Sequence, residues 1–121
     1  MRWHTLHAPV GAMDATAFEN AEMAKIGMPA TIVPRYRSTY FQHVFAGGYS
    51  AGYYSYVWAE VLDADAFEAF KARGIFDAAT AKAFRTNILE KGGSEDAMTL
   101  YVRFRGQQPS VEPLLERRGL E

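Results

Sequence analysis

The sequence predicts an all-α chain of about five to six helices, one of them long and central and preceded by a Gly-Gly loop. Two patterns predict it. Apolar residues recur at helical spacing in successive segments, as at Trp58, Val61, Leu62, Ala66, Ala69 and Phe70. Capping residues open these segments (Asp14, Asp77, Ser94, Ser110) and glycines close them (Gly27, Gly74, Gly106, Gly119). With 121 residues, 49% of them hydrophobic, the chain is one domain or a piece of one and has the material for a core.

Ala8-Pro9-Val10-Gly11 reads as a loop. Asp14 caps a first helix whose inner side carries Phe18, Ala21 and Met23 or Ala24, and Gly27 closes it. Met28 to Pro34 holds Pro29 and Pro34 without a helical period, so it is an extended connector. Arg35 to Ala46 mixes β-branched and aromatic residues with the helical spacing of Phe41, Val44 and Phe45, and reads as a short helix or turn leading into Gly47-Gly48. The longest helix is expected from Tyr49 to about Arg73, with Gly52 in its first turn. Tyr54, Trp58, Val61, Leu62, Ala66, Ala69 and Phe70 form its apolar stripes, and Glu60, Asp63, Asp65, Glu68 and Lys71 its polar positions. Three shorter helices follow. Asp77 opens one with Ala81, Phe84, Ile88 and Leu89 inward, ending at Gly92-Gly93. Ser94 caps the next, with Ala97, Leu100, Tyr101 and Phe104 inward. Ser110 caps the last, with Leu114 and Leu115 inward and Arg117 and Arg118 in its last turn, where cations favour the helix dipole.

The formal charge of −1 argues against a nucleic-acid or membrane-surface binder held by charge. There is no cysteine, which excludes disulfides and thiolate metal sites and fits a reducing cytoplasm. Met1 to His7 lacks the apolar stretch of a signal peptide, and no run approaches the roughly 18 apolar residues of a membrane span.

For chemistry, the histidines are His4, His7 and His43. None begins a His-Glu-x-x-His zinc helix, so a metal site made wholly from this chain is not expected, and His4 and His7 read as structural or exposed. Ser50 stands in Gly-Gly-Tyr-Ser-Ala-Gly, which is not a Gly-x-Ser-x-Gly elbow, and the glycines of 47–52 lack the Lys-Ser/Thr ending of a phosphate loop. Six tyrosines fall between Tyr36 and Tyr56. On a helix, Tyr49, Tyr53 and Tyr56 would share one stripe that Glu60 continues, with His43 just before the Gly-Gly hinge. Phenol and imidazole donors aimed at one point can hydrogen-bond a substrate carbonyl and stabilise the oxyanion that forms when water attacks it. A tyrosine-rich helix face packed in an interior is the competing reading.

The stretch from Pro34 to Leu62, with its His-x-x-x-Gly-Gly-Tyr-x-x-x-Tyr-Tyr-x-Tyr core from His43 to Tyr56, resembles the C-terminal signature of the thimet-oligopeptidase-like zinc metallopeptidases. Within them it is nearest the bacterial peptidyl-dipeptidases, with the oligopeptidase A type second. Gly92-Gly93-Ser94-Glu95-Asp96, Phe104-Arg105-Gly106, Pro109, Leu114-Leu115 and Gly119-Leu120 extend the resemblance over the whole chain. It implies a fragment, residues 1–121, of the catalytic domain of a larger, helical, two-lobed cytoplasmic peptidase. The zinc of that family sits on a His-Glu-x-x-His helix and a downstream glutamate, which this chain lacks, so the chain alone is expected to be inactive and to bind no metal. Carried over by position, His43, Tyr49 and Tyr56 match the residues that bind substrate and stabilise the oxyanion, Tyr53 lines the site, and Gly47 and Gly48 form the moving loop. Arg35 or Arg37 is a further expectation, as an arginine fork for the carboxylate end of a substrate. The implied partners are short peptides and the remainder of the parent enzyme, with self-association of the isolated chain through faces the parent would cover. The alternative is a stand-alone helical module that holds peptides without cutting them.

Overall fold

A computed structural model describes residues 1–7 and 11–120 of the chain. The loop read at Ala8, Pro9 and Val10 lies outside the described residues. Among the described residues there are five α-helices and no strand: α1 Ala15–Lys25, α2 Ser55–Arg73, α3 Ala78–Phe84, α4 Ala97–Arg105 and α5 Glu112–Arg117. Short 3-10 turns occupy Arg2–Thr5 and Gln42–Val44, and a wider π turn continues α3 over Arg85–Leu89. The architecture is all-α, as the spacing and capping predict. No helix among the described residues is long and apolar enough to cross a membrane. The chain divides into two compact units, Met1–Ser55 and Tyr56–Glu121.

In the first unit, the Asp14 carboxylate caps α1 by accepting from the backbone N–H of Thr16 and Ala17 at 2.8 and 3.0 Å. The inner row of α1 differs from the expected one. Phe18 and Met23 are half-buried, but Ala21 and Ala24 are exposed and Glu19 is buried. The helix turns Glu19 and Glu22 toward cations, Arg37 for the first and Arg2 and Lys25 for the second, so charge pairing overrides the apolar pattern. Trp3 packs its ring 4.3 Å from that of Phe18. His4 Nε2 is hydrogen-bonded to the Val44 carbonyl, the structural role expected of it. Met28 to Pro34 forms no helix or strand and contains one turn, closed by Ile32 N–H donating to Pro29 O at 2.9 Å.

The long helix begins at Ser55, not at Tyr49. Residues 49–54 form consecutive turns, closed by Ser55 N–H to Gly52 O at 2.9 Å. Gly47, Gly48 and Gly52 fall within six residues and Ser50 Oγ bonds back to Gly47 O, so this stretch has neither the propensity nor the free side chains for a helix.

In the second unit, Ala66 and Ala69 of α2 meet Tyr101 and Phe104 of α4, with Leu62, Phe70, Phe84 and Ile88 around them. The rings of Phe84 and Phe104 lie 5.2 Å apart at 67° and those of Phe70 and Phe84 5.9 Å apart at 75°, the edge-to-face geometry that adds about 0.5–1.5 kcal/mol per pair beyond burial. Leu114 of α5 packs with Val61 and Ala64, and burying such a side chain contributes about 1.5–3 kcal/mol.

Several expectations change for α2 and the helices after it. Trp58 stays exposed, as does Tyr54 just before α2, so the apolar stripe packs only from Val61 onward. Asp65, expected on the polar side of α2, is 1% exposed because Arg105 and Tyr101 reach it from α4. Ala81 is exposed, while Thr80 beside it is buried. Leu89 is also exposed, because the Glu90 N–H to Arg85 O bond spans five residues and the widened turn rotates Leu89 out of the row of Phe84 and Ile88. The cap of α4 is Asp96 rather than Ser94, since its carboxylate accepts from both the N–H and the hydroxyl of Thr99, and Ala97 is then exposed. Ser110 accepts from Glu112 N–H at 3.2 Å, but the N-cap of α5 is Val111, without a side-chain cap bond, so the helix starts one residue later than expected; Leu114 is buried as expected. Gly106 ends α4 in the left-handed region, φ +79°.

Candidate functional site

A cavity of about 520 Å³ lies in the first unit. Tyr36, Tyr40, Phe41, His43, Gly47 and Tyr53 are among its walls. The local sequence explains why these meet. The segment from Arg37 to Phe45 is a series of tight turns, and Gly47, at φ +79°, reverses the chain so that 49–54 returns past His43. A Cβ at Gly47 or Gly48 would meet no heavy atom within 4 Å, so the backbone there borders open space rather than packed side chains.

Three of the sequence-predicted ring groups, His43, Tyr49 and Tyr53, converge, though by turns and not by a helical stripe. The His43 imidazole stands 5.3 Å from the Tyr49 ring at 86° and 5.2 Å from the Tyr53 ring at 72°. Tyr53 in turn meets Phe41 edge-on, 5.0 Å away at 81°. Tyr49 is exposed and Tyr53 half-buried, so phenol edges are within reach of solvent or ligand. Tyr56 is the first residue of the second unit, on the first turn of α2, and is 43% exposed. Glu60, read as continuing the tyrosine stripe, is instead ion-paired with Arg118, just past the end of α5.

The two arginines separate. Arg35 places its guanidinium carbon 5.2 Å from the centre of the Tyr36 ring, at the cavity wall. Arg37 is turned inward, its Nε 2.6 Å from the buried carboxylate of Glu19. Ser50 Oγ donates to Gly47 O at 3.0 Å and serves the turn.

Sequence reasoning missed two buried acids, Glu19 and Asp65. Asp65 carried a signal: it stands four residues from Val61 and from Ala69, inside an apolar row. Glu19 likewise stands four residues from Ala15 and Met23, but its partner Arg37 is distant in sequence and leaves no local mark. Among the described residues no group of three His, Cys, Asp or Glu side chains is placed to hold a metal ion, so the residues present do not fit a zinc site.

Comparison with known proteins bears on what this arrangement serves. The model of peptidase family M3 matches residues 1–120. The dipeptidyl carboxypeptidase of Salmonella typhimurium is 42% identical over 123 residues, covering 100% of this chain and 18% of that protein. Oligopeptidase A of Escherichia coli is 54% identical over 81 residues, 67% of this chain and 12% of that protein. The probable cytosolic oligopeptidase A of Arabidopsis thaliana is 43% identical over 126 residues, 97% of this chain and 17% of that protein. The chain thus spans less than a fifth of the length of these curated relatives.

Proposed function

The chain belongs to peptidase family M3, and from that premise we propose that residues 1–121 are the C-terminal part of a catalytic domain and form a substrate-holding wall in a cytoplasmic zinc peptidase of peptidyl-dipeptidase or oligopeptidase type. The observation that carries the proposal is the convergence of His43, Tyr49 and Tyr53 beside the Gly47-Gly48 turn. Short peptides are the ligands this wall suits: an aromatic-lined cavity with phenol O–H and imidazole N–H donors can hold a peptide carbonyl among apolar side chains.

These donors act most strongly on charge that develops during reaction. When water adds to a peptide carbonyl, its oxygen becomes an oxyanion, and a pre-oriented donor strengthens its hydrogen bond as the charge grows. His43, Tyr49 and Tyr56 are assigned that role, Tyr53 and the Gly47-Gly48 backbone the role of shaping the site. Arg35 is the arginine available for a substrate carboxylate, because Arg37 already serves Glu19. The zinc that the family resemblance implies belongs to residues outside this chain, and the chain alone is inactive in this reading.

The test is made in the longer enzyme that joins this chain to a His-Glu-x-x-His segment. Tyr49→Phe and Tyr56→Phe each remove one hydroxyl and keep the ring. Turnover falls by about 10²–10³ for an oxyanion donor, with the melting temperature unchanged. Unaltered turnover in both variants removes the oxyanion role.

A further inference from the structure

The cavity wall depends on Tyr36, Tyr40, Phe41 and His43, and their segment holds no helix beyond the single turn Gln42–Val44. What fixes it lies behind it, on α1. Glu19 is 5% exposed, and both of its oxygens are directed at the residues between Tyr36 and Tyr40. Oε1 is ion-paired with Arg37 Nε at 2.6 Å. Oε2 accepts from the backbone N–H of Ser38 at 2.6 Å and from its hydroxyl at 2.9 Å. Trp3 Nε1–H donates to that same hydroxyl at 2.9 Å, so Ser38 Oγ both donates and accepts.

From this clamp the chain runs forward through short backbone turns. Tyr40 N–H donates to Arg37 O at 3.0 Å, Gln42 N–H to Tyr40 O at 2.9 Å, Val44 N–H to Phe41 O at 3.2 Å and Phe45 N–H to Gln42 O at 2.9 Å. With so few residues per turn, the orientation set at Arg37 and Ser38 is passed on to Phe41 and His43. A buried carboxylate is a poor choice for stability alone, because desolvation offsets much of the pairing energy and apolar side chains can fill such a site as well. What a carboxylate adds is direction, here through the two short bonds that Oε2 accepts from Ser38, with the Arg37 ion pair at Oε1 adding charge but not hydrogen-bond geometry.

We infer that Glu19 is a positioning residue: through Arg37 and Ser38 it sets the placement of the His43 imidazole against Tyr49 and Tyr53. Its functional meaning rests on the peptide-holding role given to that face, whereas the geometric effect is measured without any ligand.

The experiment compares the whole chain with Glu19→Gln, Ser38→Ala and Met23→Ala. The last thins the same inner face of α1 and removes none of the hydrogen-bonding or charged groups of the clamp. Ring-proton resonances of His43 are recorded by NMR, because the edge-on tyrosine rings shift them according to their placement. Melting temperature and affinity for an end-blocked tetrapeptide are measured alongside. Glu19→Gln and Ser38→Ala move the His43 resonances and weaken peptide binding roughly tenfold, whereas Met23→Ala lowers the melting temperature and leaves those resonances in place. Resonances unmoved in Glu19→Gln, or moved as far by Met23→Ala, overturn the inference. Should Glu19→Gln not fold, Ser38→Ala decides it, since that variant keeps the backbone bond to Glu19 and loses only the hydroxyl. If the native chain takes up no peptide while Glu19→Gln still moves the His43 signals, the peptide-holding role is lost and the positioning of His43 stands.

Discussion

The imidazole of His43 stands edge-on to the ring of Tyr53, their centres 5.2 Å apart at 72°. One residue lies before the Gly47-Gly48 turn and the other after it, so ring contact ties the two arms of the reversal together. Tyr53 passes the contact on to Phe41 at 5.0 Å, and Phe41 to Tyr36 at 5.0 Å. The site is therefore held by aromatic ring contacts across a turn, and its shape depends on the backbone of that turn.

The two glycines of the turn are predicted to differ. Gly47 has φ +79° and Gly48 is not in the left-handed region, while an added Cβ at either meets no heavy atom within 4 Å. Gly47→Ala is expected to cost about 1–2 kcal/mol, the penalty of the left-handed region for an L-residue. Gly48→Ala should stay within about 0.5 kcal/mol. Urea denaturation of the two variants checks this, and equal losses would show that backbone conformation is not what selects glycine at position 47.

A second prediction concerns the buried acid of the second unit. Asp65 accepts from Tyr101 OH at 2.5 Å and from Arg105 Nε at 3.0 Å. Burial and the neighbouring Asp65 carboxylate push the Tyr101 phenol above its ordinary pKa, so this hydroxyl keeps its proton and remains a donor at any ordinary pH. Arg105→Met strands the Asp65 charge and is expected to cost about 3–5 kcal/mol. Adding Asp65→Leu to it should recover most of that loss. A double variant no more stable than Arg105→Met in urea denaturation would contradict this account of the core.

Glu95 supplies a pH dependence. Arg103, and after it Lys91, hold its carboxyl down at about 2, below the ordinary 4.5. A carboxyl depressed in the folded state contributes stability that is fully present above its unfolded value and lost as pH falls toward its folded one. The melting temperature should therefore fall between pH 4.5 and 2, less steeply in Glu95→Gln than in the native chain. All partners are at least partly exposed, so 1 M salt, with a screening length of about 3 Å, should shrink the difference.

The helical class and most helix ends were legible because caps and stops are local. Asp14 and Asp77 cap where the sequence places them, and Gly106 stops α4 through its own backbone. The start of α2 was not legible, because the tyrosine spacing fits a helix as well as it fits the turns that Gly47, Gly48 and Gly52 favour. The grouping of His43, Tyr49 and Tyr53 was legible from the clustered aromatic residues, but its geometry was misread: these rings meet by chain reversal and not along a helical stripe. Glu19 and Asp65 were hidden because the cations that make their burial tolerable lie 18 and 40 positions away along the chain (Arg37 and Arg105).

The central claim is that the ring groups around Gly47-Gly48 hold a peptide, and calorimetric titration of the whole chain with an end-blocked tetrapeptide tests it most directly. Saturable binding is expected in the native chain, weakened up to about tenfold in Tyr49→Phe and in His43→Ala, as the loss of one hydrogen bond each allows. No heat of binding in the native chain, or binding that both substitutions leave unchanged, would contradict it.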